Sequence, residues 1–123
     1  MNSETLKIRT KTCSISIGKL ISTLPFNVLN KNDSNQLVRC SSSVGAKYRA
    51  ACRAKSTADF LNKPKIVEEE LGESMFFLEL LEEFNPDLKV DISNNWKEGN
   101  ELLSIMVSSI IRIGKNEQNR KTS

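Results

Sequence analysis

Apolar residues recur along this chain at helical spacing in four blocks. In the first, Leu6, Cys13, Ile17, Leu20 and Leu24 follow one another at steps of seven, four, three and four, which keeps them on one face of a helix. This predicts a helix over residues 4–24. Pro25 stops it, because proline disfavours helical geometry in the residue before it. Ile8, Ile15 and Ile21 lie off the stripe and widen it. Residues 26–34 read as a polar connection, since their Asn, Asp and Ser side chains compete for backbone hydrogen bonds. A second helix is expected over 34–54, capped by Asp33 or Ser34. Its inward stripe is Leu37, Cys40, Val44, Tyr48 and Ala51, and the small residues Ser41, Gly45 and Cys52 beside it let a neighbouring helix come close.

The third block predicts a helix over 56–84. Ser56 with Asp59 three residues on is a capping-box-like start. Pro64 interrupts the pattern, and an internal proline costs about 3 kcal/mol unless the helix bends; a kink over 60–63, or a break with restart at Pro64, is expected. Beyond it, Val67, Leu71, Ser74, Met75 and Leu78 line one face, while Ile66, Phe77, Leu81 and Phe84 line a second that Phe76 and Leu80 extend. A surface helix needs an apolar stripe of only about 100°. The surplus predicts a self-association face made of Ile66, Phe76, Phe77, Leu80, Leu81 and Phe84. Asn85-Pro86-Asp87 ends the helix, residues 88–95 read as a connection, and a fourth helix is expected over 95–115. Leu102, Leu103, Met106, Ile110 and Ile113 form its stripe, with Trp96 near its start, ahead of a frayed polar tail, 116–123. The whole reads as one all-α domain, an antiparallel up-down-up-down four-helix bundle.

Composition narrows the chemistry. The 123 residues suffice for a real core. There is no histidine, which rules out a Cys/His zinc site and a histidine general base. The three cysteines lack CxxC spacing and read as buried thiols of a reducing compartment. No apolar run approaches a membrane span, and the first residues lack the apolar core of a signal peptide. The expected location is therefore cytoplasmic. Glu68, Glu69, Glu70 and Glu73 diverge around the helix and read as a solvated or ion-paired face, with no metal implied. No nucleophile–base constellation is present, so no enzymatic activity and no cofactor are expected.

Charge is distributed unevenly. Residues 1–64 hold 11 Lys/Arg against 3 Asp/Glu, and residues 65–95 hold 2 against 9. Arg39, Arg49 and Arg53 share about one quadrant of the second helix, with Lys47 and Lys55 nearby. This basic face suits the phosphates of RNA or DNA. The competing use is pairing with the acids of the third helix, which would suit a protein–protein adaptor or scaffold with no nucleic-acid role.

The stretch QLVRCSSSVGAKYRAACRAKSTADF followed by KIVEEELGESMFFLELLEE resembles the bacterial four-helix-bundle family encoded in intervening sequences of 23S ribosomal RNA. The accessory variability determinant of diversity-generating retroelements is similar to the same family. Gln36, Leu37, Arg39, Ser43, Tyr48, Arg49, Ala50, Ser56, Asp59, Phe60, Glu69, Glu73, Ser74, Leu78 and Leu81 carry the resemblance; Pro64 departs from it. The resemblance implies a homopentamer without enzyme activity. For retroelement relatives it also implies a basic surface that binds nucleic acid and a reverse transcriptase as partner.

Overall fold

A computed structural model describes residues 2–53 and 57–122; for 57–62, 113, 114, 117 and 120–122 only the backbone is described. Four helices follow in order: α1 (Ser3–Ser22), α2 (Val28–Cys52), α3 (Thr57–Phe84) and α4 (Lys89–Thr122), with a 3-10 turn over Pro86–Leu88. Among the described residues there is no strand. Each helix packs on the next, and α4 closes back onto α1, while α1–α3 and α2–α4 stand diagonally apart. This is the expected all-α four-helix bundle.

The predicted stripes form most of the core, joined by Leu81, expected on the second face of the third helix, and by Ile92, expected in a connection. Leu6, Cys13, Ile17 and Leu20 of α1 meet Leu37, Cys40 and Val44 of α2, Val67, Leu71, Leu78 and Leu81 of α3, and Ile92, Leu102 and Met106 of α4. The small face of α2 receives α1. A methyl group built on Gly45 would sit 3.4 Å from Thr10 Oγ1, and Ser14 Oγ donates to the Ser41 carbonyl across the seam at 2.7 Å.

Several helix limits differ from expectation, for reasons that lie outside local sequence. α2 begins at Val28, capped by Asn27, whose Oδ1 accepts from Asn30 N at 2.8 Å. The Asn and Asp side chains expected to break the helix instead turn inward: Asn30 and Asp33 are both buried. Asp33 therefore occupies a core position and is not a cap. α4 begins at Lys89, directly after the 3-10 turn, because Ile92 and Asn95 are buried against the bundle. The segment 88–95 is thus helical, and so is the backbone of the polar tail as far as Thr122. Nor is there a break with restart at Pro64: α3 runs through it, and the buried stripe from Val67 onward holds the helix in place. The cap expected at Ser56 lies outside the described residues, as do the side chains of Asp59, Phe60 and Ile113.

The turns that join α1 to α2 and α3 to α4 share one end of the bundle. Asn30 Nδ2 donates to Asn85 Oδ1 at 2.9 Å, and Asn85 Nδ2 donates back to Asn30 Oδ1 at 2.8 Å. The same two amide groups also reach the Pro25 and Leu81 carbonyls. Both asparagines are buried, so this clasp satisfies groups that would otherwise be costly to bury.

Candidate nucleic-acid interface and self-association face

The basic residues of α2 divide into two groups. Arg39 and Lys47 lie on the α2–α3 seam. Lys47 Nζ contacts Glu70 Oε1 at 2.9 Å, Arg39 Nη2 contacts Glu73 Oε2 at 3.0 Å, and Arg39 Nη1 lies 3.9 Å from Glu70 Oε2. Glu70 is 7% exposed. A carboxylate withdrawn this far from water needs cations beside it, and α2 supplies two. The hydrogen bond to Glu73 holds the Arg39 pKa above its usual value, against an opposing effect of burial. Pairing with the α3 acids is thus the state of Arg39 and Lys47.

Arg49 and Arg53, toward the end of α2, are exposed and make no ion pair among the described residues. Lys55 lies outside the described residues. On the opposite seam, Arg9 of α1 reaches α4: its Nε and Nη2 donate to Glu98 Oε1 at 3.0 and 2.7 Å, and Nη2 lies 3.3 Å from Glu101 Oε2. Burial works against the Arg9 charge, but these bonds outweigh it and raise the pKa. Sequence reasoning passed over Glu70 as a buried anchor and Arg9 as a cross-link. The signal in each case is pairing across helices, which periodicity does not reveal.

The self-association residues also divide. Phe76, Phe84 and Ile66 are exposed, at 55, 45 and 38%. Phe77 and Leu80 are half-buried, and Phe77 packs edge-on against Phe76 with ring centroids 5.5 Å apart. Leu81 is 0% exposed within the single chain. It belongs to the bundle's own core and is corrected out of the interface, because the rotation of α3 turns it inward and away from solvent. On the diagonal corner, α1 exposes Ile8 and Ile15.

Three further observations bound the chemistry. Among the described residues, no group of three or more Cys, Asp or Glu side chains gathers as a metal site. No described helix is long and apolar enough to cross a membrane. Burial, aided by the charge of Glu98, pushes the Cys13 thiol up to about 11, and burial also raises Cys40 although a hydrogen bond from Ser74 opposes it. Both thiols are therefore poor nucleophiles near neutral pH.

No family model matches the chain, and no curated protein matches it. Among solved structures, it is similar to a Bacteroides thetaiotaomicron protein of unknown function from the S23 ribosomal protein family. The two share 27% sequence identity with a TM-score of 0.77, over 89% of this chain and 98% of the other. The likeness thus spans nearly the whole bundle.

Proposed function

We propose that this chain is a non-catalytic member of the S23 ribosomal protein family, the group its sequence resembles through intervening sequences of 23S ribosomal RNA. In this reading it assembles as a homo-oligomer, with a pentamer implied by the resemblance, and binds nucleic acid through basic residues that include Arg49 and Arg53. The observation that carries the assembly is the apolar face of Ile66, Phe76 and Phe84, exposed beyond what the bundle covers. A second apolar strip, Ile8 and Ile15, lies on the diagonal corner. Two different faces on opposite corners suit head-to-tail contact, which closes into rings when the rotation allows.

Sedimentation equilibrium of the purified protein tests this reading. The wild type is expected to sediment as a closed assembly, and Phe76→Glu to shift it to monomer with its helical circular dichroism unchanged. A wild-type monomer at micromolar concentration would overturn it. A second reading, an adaptor with no nucleic-acid role, draws on the pairing of Arg39 and Lys47 with Glu70 and Glu73. A defined protein partner recovered from nuclease-treated lysate, with no RNA or DNA bound at low salt, would favour it.

A further inference from the structure

Cations that α2, α3 and α4 contribute separately in sequence come together at one end of the bundle. Leu6 of α1, Tyr48 and Cys52 of α2, Pro64 of α3, and Met106 and Arg112 of α4 line one open pocket there. The last three of these helices carry basic residues next to their share of the lining. Arg49 follows Tyr48, Arg53 follows Cys52, and Lys63 and Lys65 flank Pro64. Lys115 joins Arg112 along a shallow groove on α4. Arg49, Arg53, Lys65, Arg112 and Lys115 are exposed and Lys63 is half-buried. None of the six makes an ion pair among the described residues.

The rest of the bundle differs. Arg39, Lys47 and Arg9 are held by carboxylates. At the far end, Lys31 and Lys89 share the surface with Glu83, Asp87 and Asp91. Cations already neutralised within the chain release few counterions when a polyanion arrives, whereas unpaired ones release theirs.

We infer that the phosphate-binding surface is this end of the bundle, and that Arg112 and Lys115 of α4 and Lys63 and Lys65 of α3 belong to it together with Arg49 and Arg53. This rests on the nucleic-acid reading above and moves its centre from the flank of α2 to the bundle tip. Neighbouring helices stand about 8–10 Å apart, so the cluster can reach several phosphates. Half-buried Tyr48 is the one aromatic ring among the described residues that line the pocket; with six cations around it, the ligand the surface suits is a phosphate backbone, held by charge more than by stacking on bases.

The test is fluorescence anisotropy of the full-length protein with labelled mixed-sequence RNA and DNA duplexes, titrated across salt concentration. Two charge-matched variants are compared. Arg112→Gln/Lys115→Gln is expected to weaken binding at least tenfold at low salt. It should also flatten the plot of log affinity against log salt by about 0.9 for each phosphate that is no longer neutralised. Lys31→Gln/Lys89→Gln, at the opposite end, is expected to stay within twofold of wild type. Equal weakening in the two variants, or weakening only in the second, would overturn the location while leaving nucleic-acid binding intact. A wild type that binds neither duplex at low salt would remove both the location and the reading beneath it. Unchanged thermal melting of each variant excludes unfolding as the cause.

Discussion

The two ends of this bundle are built on opposite terms. At one end, two turns are fastened to each other by Asn30 and Asn85, buried and reciprocally hydrogen-bonded. Around this polar clasp the surface mixes exposed apolar residues, Phe26 at 90% with Val28 and Val90, with the charges of Lys31, Lys89, Glu83, Asp87 and Asp91. At the other end, Arg49, Arg53, Lys63, Lys65, Arg112 and Lys115 make no ion pair among the described residues, while Lys7 pairs with Glu4 at 2.9 Å. The first end is specified from within, because a buried amide without its partner is costly. Among the described residues the second shows no comparable buried amide pair, and its exposed cations face solvent. Stability should therefore concentrate at the clasped end and ligand affinity at the basic one.

The largest expected effect comes from the core beside the clasp. Leu81 is fully buried, and its carbonyl accepts from Asn85 Nδ2. Leu81→Ala should cost about 2–5 kcal/mol in urea unfolding. A cost near zero would return Leu81 to the surface and break the assignment of that layer. Next comes the clasp itself. Asn85→Ala leaves Asn30 with an unfilled amide and should cost about 1–3 kcal/mol. Arg53→Gln at the basic end should change stability by no more than about 0.5 kcal/mol. Similar costs at the two sites would erase the contrast between the ends.

The mildest probe is thiol labelling. Cys52, half-buried near the basic end, should alkylate first at pH 8, at least tenfold ahead of the buried Cys13 and Cys40, as read by mass spectrometry of the peptides. Equal rates would mean that the bundle opens as one unit. Raised pH adds a check with a defined sign. The Cys13 thiol stays protonated in the fold up to about pH 11 but ionises near 9 once the chain unfolds. Its contribution to stability is therefore complete below pH 9 and disappears as pH rises from 9 through 11.

Much of the fold was legible in the sequence. Leu37, Cys40, Val44 and Ala51 announce the inward face of α2 by spacing alone, and all four are buried. The small residues beside them mark where α1 approaches. The candidate site was legible only in part. Arg49 and Arg53 stand exposed as expected, but Arg39 and Lys47 looked equally available. Their pairing depends on how far α2 is rotated against α3, which no stretch of one helix records. Leu81 sits where the two apolar arcs of α3 meet: it continues the buried series Val67, Leu71, Ser74 and Leu78 at steps of four, three, four and three, and so belongs to the inward arc and not to the exposed one. Lys63, Lys65, Arg112 and Lys115 share no local signal, because they are scattered over more than fifty positions and reach one end of the bundle only in the fold.

What the sequence by itself determined was the number of helices and their inward stripes, because apolar periodicity is a local property that burial must obey. What only the tertiary structure decided was where α2 and α4 begin and which charges remain free. Asn30 and Asp33 discourage a helix in isolation, yet α2 extends through both. Asn30 finds its partner in Asn85, 55 residues away along the chain, and a pairing at that distance leaves no trace in the spacing of neighbouring residues.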